Sequence, residues 1–210
     1  MLKVLIADDH PVVRQGLRQI ITEAPDMVVA GEAADGREAL GKAKTGDYDV
    51  LLLDISMPYQ SGVDVVSRLR KERPALPVLM LSVHPEEQYA VRALRAGASG
   101  YLTKESAPEE LVAAIRKVST GGKYVSASLA EHLASLVQGD GEPLPHETLS
   151  NREYQVMCLI AAGMTVSEAA RELSLSAKTI STYRARILEK LSLRTNADLI
   201  RYATANQLVE

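Results

Sequence analysis

The chain has 210 residues, which fits one or two domains of ordinary size. Hydrophobic residues make up 46% and charged residues 24%, values typical of a folded protein with a polar surface. Nothing resembles a signal peptide, no apolar stretch approaches the roughly 20 residues of a membrane span, and the single Cys158 excludes an internal disulfide framework, so we expect a cytoplasmic protein with no membrane partner.

Short apolar runs alternate with amphipathic segments over the first 120 residues. The alternation predicts a five-stranded parallel (βα)5 sheet that is covered by helices on both faces. The predicted strands are Val4–Ala7, Met27–Ala30, Val50–Leu53, Val78–Leu81 and Gly100–Leu102, and the predicted helices span about 11–23, 35–45, 62–73, 86–96 and 107–119.

A change of composition follows this first part of the chain. A helix is predicted at Ser126–Val137, and residues 138–145 then carry Gly and Pro at a density typical of a linker. Helical patterns continue at about 151–162, 166–173, 177–191 and 196–206. Ser150 with Glu153 fits a capping box, and Ser167 and Ser176 are predicted to cap the next two helices. We therefore predict a domain at 1–120, a partly helical linker at 121–145 and a small all-α four-helix domain at 146–210.

Charge is distributed unevenly along the chain. The net charge is −3, but residues 146–210 hold eight Lys or Arg against seven Asp or Glu. Residues 176–191 alone hold four basic residues against Glu189. Because phosphate-binding surfaces are local, the acidic overall balance does not exclude nucleic acid as a partner.

Polar residues stand at the ends of several predicted strands. Asp8 and Asp9 end the first strand, Asp54 the third and Ser82 the fourth, and Lys104 follows the fifth by two residues. The carboxyl ends of parallel strands share one edge of a sheet, so we expect these side chains in one crevice. Taken alone, each polar residue has a simpler explanation, as a helix cap or as a solvated lysine. Five such residues at successive strand ends favour a binding site instead.

Three carboxylates in one crevice repel one another unless a cation offsets them. Carboxylate oxygen is the ligand type that Mg²⁺ prefers, so we expect Mg²⁺ as the cofactor. A metal-bound carboxylate is also a plausible nucleophile toward a phosphoryl group, with Mg²⁺ and Lys104 neutralising the transferred oxygens.

The motifs around these residues resemble those of a receiver domain. They are Lys-Val-Leu-Ile-Ala-Asp8-Asp9-His-Pro, Leu-Leu-Leu-Asp54-Ile-Ser-Met57-Pro58 with Gly62, Val-Leu-Met-Leu-Ser82, and Ala-Gly-Ala-Ser-Gly-Tyr101-Leu-Thr-Lys104, and they cover about residues 2–120. The resemblance implies a flavodoxin-like fold in which Asp54 accepts phosphate from a sensor histidine kinase. It also implies that Asp9, Asp54 and the backbone carbonyl of Ser56 bind Mg²⁺, with Asp8 acting mainly through water.

The same resemblance implies a conformational switch. Ser82 would bond to the phosphoryl group and Lys104 would pair with it, while Tyr101 would rotate inward behind Ser82. A fixed, partly buried tyrosine is the alternative for Tyr101. Ser56 and His84 stand where receivers tune phosphoryl lifetime. The chain departs from many receivers in having Glu105 rather than Pro after the lysine, which leaves the conformation of that loop open.

The predicted helix at 177–191 has one apolar and one polar face. Ile180, Ile187, Leu188 and Leu191 point inward. Short polar residues and Arg near a helix N-terminus suit entry into the major groove, although a solvated helix face is the usual explanation for such charges. The candidate DNA-contacting residues are Lys178, Thr179, Ser181, Thr182, Arg184 and Arg186.

Residues 146–208 resemble the LuxR-type DNA-binding domain. The resemblance rests on Leu149-Ser-Asn-Arg-Glu153, on the segment 161–170 and on the segment 176–191. A receiver joined to this domain is the arrangement of the NarL/FixJ family of response regulators. In that family the third of the four helices reads the major groove and the last can dimerise, so half-sites should lie about one helical turn apart.

We therefore expect phosphorylation of Asp54 to control binding to promoter DNA and transcription by an active homodimer, with RNA polymerase open as a further partner. The receiver would promote its own phosphoryl transfer and dephosphorylation but have no separate enzymatic output.

Two alternatives belong to other functional classes. A Mg²⁺-dependent phosphohydrolase of the haloacid-dehalogenase type is disfavoured because Asp8 and Asp9 are adjacent and Asp54 lies on another strand. The other is a receiver that acts through protein contacts with an output domain unable to bind DNA.

Overall fold

A computed structural model describes residues 1–83, 86–138, 144–206 and 208–209 of the chain. These residues form two compact units, Met1–Leu133 and Ala134–Glu210, which we describe separately. Within the described ranges, no helix has both the length and the apolar character that a membrane crossing requires.

The first unit contains one parallel sheet with helices on both faces. The strands lie in the order β2-β1-β3-β4-β5, and every neighbouring pair is parallel, which confirms the predicted fold class. The strands are β1 (Leu2–Ala7), β2 (Met27–Ala33), β3 (Val50–Asp54), β4 (Val78–Ser82) and β5 (Gly100–Thr103). The helices are α1 (Pro11–Glu23), α2 (Gly36–Thr45), α3 (Gly62–Glu72), α4 (Glu86–Ala96) and α5 (Pro108–Ser119).

The sheet forms because its central strands are apolar on both faces. Every residue of β3 and β4 is buried, as expected for strands that lie between two helical layers. One core cluster joins one sheet face to α1 and α5 through residues such as Ile6, Leu52, Leu81, Ile21 and Ile115. These buried layers fix the strand ends and therefore the loops that follow them.

The edge strand β2 is longer than the sequence pattern predicts. The apolar run ends at Ala30, but the strand continues to Ala33 after an irregularity in its pairing with β1 between Val4 and Leu5. Gly31 and Glu32 are only partly buried. Since β2 lies at the sheet edge, backbone pairing with β1 suffices to hold residues that lack an apolar side chain.

The second unit is helical. Helix α6 (Ala127–Gln138) spans the division between the units, and a short 3-10 helix (Pro145–Thr148) precedes α7 (Asn151–Ala161), α8 (Val166–Glu172), α9 (Ala177–Lys190) and α10 (Asn196–Ala205). The capping box of Ser150 and Glu153 and the cap at Ser176 are confirmed. The predicted cap at Ser167 is wrong. Thr165 caps α8, because Glu168 stands three residues later and completes the box.

Tight turns end three of these helices. Gly163, Ser174 and Ser192 have φ values of 90°, 52° and 55° after α7, α8 and α9. In each turn the next amide bonds back to a carbonyl five residues earlier, for example Leu175 to Ala170 at 2.8 Å. Two of these left-handed positions are occupied by serine rather than glycine.

Candidate functional site

The strand register brings the predicted acidic residues to one edge of the sheet. Ala7 pairs with Leu53, so Asp8 follows β1 beside Asp54, the last residue of β3. On the other side, Ser82 pairs with Thr103, and Lys104 follows directly. Asp8, Asp54 and Lys104 therefore meet at the carboxyl ends of the strands, and Ser82 ends the neighbouring strand.

The side chain of Lys104 joins two of the carboxylates. Its Nζ lies 2.6 Å from Asp8 Oδ2 and 2.9 Å from Asp54 Oδ2. Asp8 is fully buried and Asp54 is only 2% exposed, so both charges depend on this contact. The amine therefore stands where a group added to Asp54 would meet a cation.

A fourth ligand-type side chain joins the cluster. His10 Nδ1 lies 2.9 Å from Asp9 Oδ1 and 3.3 Å from Asp8 Oδ1. Ligand atoms of Asp8, Asp9, His10 and Asp54 all lie within 4.8 Å of one another. Sequence reasoning gave His10 no role, although it directly follows the two aspartates.

The donor set suits a hard cation. Asp8 Oδ2 and Asp54 Oδ2 are buried and lie against the Lys104 ammonium, and Asp9 Oδ1 is buried beside His10 Nδ1. Buried carboxylate oxygens with spare lone pairs are the ligands that Mg²⁺ uses. The residues present thus fit the metal that receiver domains bind in an acidic pocket.

Backbone hydrogen bonds hold the site in place. The amide of His10 donates to Asp8 Oδ1 at 2.8 Å, and Arg14 Nη1 donates to the carbonyl of Asp8 at 2.6 Å. The amide of Ser56 donates to Asp54 Oδ1 at 3.3 Å. The amide of Lys104 donates to the carbonyl of Ser82 at 2.7 Å, which fixes the start of the loop that carries the lysine.

The loop after Asp54 packs closely against it. A Cβ built on Gly62 would lie 2.2 Å from the carbonyl oxygen of Asp54, so only glycine fits at that position. The amide of Gly62 donates to the carbonyl of Ile55 at 3.0 Å. Both ends of the segment 55–62 therefore lie beside Asp54, and Ser56 lies near its start.

Burial and charge shift the pKa values in the site. Burial raises the pKa of the Asp54 carboxyl, and Asp8 adds to this while Lys104 opposes it, so the net pKa lies above its usual value. Burial lowers the pKa of the Lys104 ammonium, but Asp54 and Asp8 outweigh burial and the net pKa is raised. The amine is therefore held protonated between the two acids.

The proposed switch residues are both buried. Ser82 is 1% exposed and Tyr101 is fully buried. Both already make interactions in this structure. The choice between a moving and a fixed Tyr101 thus stays a prediction. His84 lies outside the described residues. Among the described residues there is no cis peptide bond, and Lys104 and Glu105 are joined in trans.

The second candidate site is the polar face of α9. Helices α8 and α9 are joined by a short turn at residues 173–176, and α9 packs on α7 and α8. Ile180, Ile187, Leu188 and Leu191 are buried as predicted. Of the candidate contact residues, Lys178, Ser181, Thr182 and Arg186 are exposed, and Thr179 and Arg184 are half-buried.

Local hydrogen bonds order part of this face. Ser176 Oγ accepts from the amide of Thr179 at 3.1 Å, and Thr182 Oγ1 donates back to the carbonyl of Lys178 at 3.0 Å. Arg184 Nε donates a hydrogen bond to Asn196 Oδ1 at 2.5 Å. Asn196 is the first residue of α10. Sequence reasoning did not find Asn196, because no spacing rule relates positions on two different helices.

Comparison with known proteins follows the same division of the chain. The response regulator receiver domain family matches residues 4–116, and the luxR family of bacterial regulatory proteins matches residues 147–203. The chain is 36% identical to the response regulator UvrY of Escherichia coli K12, over 99% of this chain and 96% of UvrY. It is 41% identical to the transcriptional regulatory protein UhpA of the same strain, over 96% and 97% of the two chains.

Solved structures show the same architecture. RcsB from Salmonella enterica serovar Typhimurium, bound to the promoter rprA in the presence of the phosphomimetic BeF3−, matches with a TM-score of 0.65 and 27% identity, over 97% of this chain and 98% of RcsB. The two family matches agree with the resemblance seen in the sequence. So do the fold and the relatives that match over nearly their whole length. The chain belongs to the NarL/FixJ family of two-component response regulators, with a receiver domain followed by a LuxR-type helix-turn-helix domain.

Proposed function

We propose that a sensor histidine kinase phosphorylates Asp54 and that the phosphoryl group controls promoter binding by α9. The observation that carries this proposal is the position of Lys104 Nζ, 2.9 Å from Asp54 Oδ2 and 2.6 Å from Asp8 Oδ2. A buried carboxylate beside a buried amine offers both the acceptor and one of the cations that phosphoryl transfer needs.

Four residues would hold Mg²⁺ in this site. Asp9, Asp54 and the backbone carbonyl of Ser56 would bind it directly, and Asp8 would act mainly through water. When bound, the ion supplies positive charge for the phosphoryl oxygens. The close grouping of buried carboxylate oxygens from Asp8, Asp9 and Asp54 supports this assignment.

The transfer itself is a substitution at phosphorus. A carboxylate oxygen of Asp54 would form the new bond to phosphorus while the bond to the kinase histidine breaks. Lys104 would then pair with a phosphoryl oxygen, and the Ser82 hydroxyl would donate a hydrogen bond to another. Attack of water on phosphorus would later break the bond to the Asp54 oxygen, release inorganic phosphate and restore the carboxylate. The receiver would thus promote both its own phosphorylation and its own dephosphorylation.

Phosphorylation would reach the output through Ser82 and Tyr101. A phosphoryl group adds about 1.5–2 negative charges and new acceptor oxygens. Movement of Ser82 toward them would change the packing of Tyr101 and the surface formed by α4, β5 and α5. A coupling of about 1–3 kcal/mol, typical of allosteric effects, would raise DNA affinity roughly 5–150-fold.

The output would be an active homodimer that places α9 in two major grooves. Lys178, Thr179, Ser181, Thr182, Arg184 and Arg186 would make the DNA contacts. Their exposed or half-exposed positions on one helix support this, as does the promoter-bound structure of RcsB. Binding at a promoter would place RNA polymerase among the chain's neighbours.

We also propose domain boundaries. The receiver would occupy residues 1–120, a partly helical linker 121–145 and the DNA-binding domain 146–210. The end of α5 at Ser119 and the start of the 3-10 helix at Pro145 support these limits.

Labelling with acetyl phosphate tests the acceptor. We expect Mg²⁺-dependent labelling of the wild-type chain and none of Asp54→Asn. Asp47→Asn is the matched control, because Asp47 is an exposed aspartate of the same unit that pairs with Lys3 at the surface. Label that persists on Asp54→Asn would move the acceptor to another residue.

Genome-wide footprinting with wild-type and Asp54→Asn protein tests the output. We expect sites with paired half-sites about one helical turn apart, and weaker occupancy with the variant. Equal occupancy of the DNA sites by the wild-type and Asp54→Asn proteins would contradict control of DNA binding by Asp54. The absence of any protected site would contradict DNA binding itself.

A further inference from the structure

A cavity away from the acidic site lies between α2, α3 and the loop that joins β3 to α3. Its volume is about 640 Å³, within the range of small-molecule sites. It is lined by Arg37, Leu40, Tyr59, Gln60, Asp64, Ser67 and Arg68. The proposed phosphorylation chemistry uses none of these side chains.

The cavity has an excess of positive charge. It holds two arginines against one aspartate, and Asp64 already has an interaction of its own. Among the described residues, Arg68 forms no ion pair, and the guanidinium of Arg37 stacks on the ring of Tyr59 at 4.9 Å. Two guanidinium groups beside one cavity are suited to a phosphate or a carboxylate.

The backbone presents Tyr59 to this cavity in an unfavourable conformation. Its φ is 62°, a value that a bulky residue rarely adopts, and the amide of Gln60 donates to the carbonyl of Pro58 at 2.6 Å across the turn. The Tyr59 side chain is nevertheless 60% exposed. Strained residues of this kind cluster at ligand sites, and burial of the ring does not explain this one.

A polar group beside the cavity lacks a partner. Gln60 Nε2 is buried and has no hydrogen-bond acceptor among the described residues. A ligand acceptor would satisfy it after rotation of the side chain. The exposed ring of Tyr59 offers a stacking surface for a planar group at the same place.

We propose that this cavity, bounded by Arg37, Arg68, Tyr59 and Gln60, binds a small anion that combines a phosphate or carboxylate with a planar ring. The anion lies between the guanidinium groups, and the ring stacks on Tyr59 or on the Arg37 plane. This site is separate from Asp54, and its occupation does not require phosphorylation.

Titration of the full chain by two-dimensional ¹H–¹⁵N NMR tests the proposal, with AMP as the phosphate probe and benzoate as the carboxylate probe. We expect saturable shifts at residues 36–40, 59–61 and 64–68 with at least one probe. If AMP binds, adenosine and inorganic phosphate should bind about tenfold more weakly, because each lacks one of the two contacts. If only benzoate binds, the anion is a carboxylate. Saturation by neither probe, or shifts confined to other residues, would overturn the proposal.

Matched variants separate the cavity from general charge attraction. Arg68→Gln and Tyr59→Asn should each weaken binding about tenfold. Asparagine tolerates the left-handed backbone, so Tyr59→Asn removes the ring without disturbing the turn. Lys71→Gln removes the same charge from an exposed position of α3 outside the cavity and should change affinity less than twofold. Equal weakening by Lys71→Gln and Arg68→Gln would overturn the proposal, and the melting temperature of each variant checks its fold.

Discussion

Lys104 Nζ and Asp54 Oδ2 lie 2.9 Å apart, and the same amine lies 2.6 Å from Asp8. The amine therefore neutralises two buried acids that end neighbouring strands. Its removal should affect both the stability of the receiver and the chemistry at Asp54.

Lys104→Met should destabilise the receiver by roughly 1–3 kcal/mol in metal-free buffer. The buried carboxylates of Asp8 and Asp54 would lose their cation, and proton uptake would offset only part of the cost. Mg²⁺ should restore part of the loss, and labelling by acetyl phosphate should fall. Thermal unfolding with and without Mg²⁺ measures the first effect. Lys44→Met, which breaks a surface pair with Glu72, should cost less than about 1 kcal/mol; equal costs would contradict a special position for Lys104.

Arg184→Ala should weaken promoter binding and reduce the slope of log affinity against log salt by about 1 if the guanidinium contacts a phosphate. Binding isotherms at several salt concentrations give both values. Lys71→Ala, the same charge change in the other unit, should leave them unchanged. An Arg184→Ala isotherm that matches the wild type would remove Arg184 from the interface.

Asn196→Ala should weaken DNA binding less than Arg184→Ala does. Asn196 holds Nε of Arg184 at 2.5 Å, so its loss frees the arginine to adopt other rotamers without removing its charge. The salt slope should stay as in the wild type. When Arg184→Ala is already present, Asn196→Ala should have no further effect on DNA affinity. A double-mutant cycle of the two substitutions measures this. Simple additivity would show that Asn196 does not act through Arg184.

Ser174→Gly should stabilise the C-terminal unit by about 0.5–1 kcal/mol. Ser174 has a φ of 52° in the turn between α8 and α9, where glycine avoids the steric cost of a side chain. Denaturant unfolding of the variant measures the gain. Ser181→Gly places glycine inside α9 instead of in a turn; as the control it should lose about 0.5 kcal/mol. A loss of stability in Ser174→Gly would contradict strain at this turn.

Glu153 should make the stability of the C-terminal unit depend on pH. Burial by itself raises the pKa of this carboxyl, but Lys190 and the amide and hydroxyl of Ser150 outweigh it, so the net pKa is lowered. A lowered pKa in the folded state adds stability above the unfolded value, about 4.5, and this stability is lost as pH falls through the folded pKa.

Glu153→Gln keeps the hydrogen-bonding shape and removes the charge. We expect a loss of about 0.5–1 kcal/mol at pH 7, because Lys190 is partly exposed, and a smaller difference from wild type below pH of about 4. Unfolding at both pH values measures this. A difference that does not change with pH would show that the charge is unimportant.

The strands and helices could be predicted because their signals are local. Apolar runs and caps mark β3, β4 and α7 within a few residues of their bounds, and the order of polar residues at strand ends was enough to expect the acidic site. The differences are also local. The sequence pattern predicts Ser167 as a cap, but Thr165 forms the box with Glu168. The same pattern ends β2 at Ala30, but the strand continues to Ala33 because edge pairing does not require apolar side chains.

Patterns along the chain therefore predict the fold class, the two-part organisation, and the residues at the ends of β1, β3 and β4. Three contacts follow from the packing of separate elements: Lys104 with Asp8 and Asp54, His10 with the acids, and Asn196 with Arg184. The physical reason is that strand and helix signals repeat along the chain, whereas the direction of a loop side chain, and its partner on another element, depend on how separate elements pack.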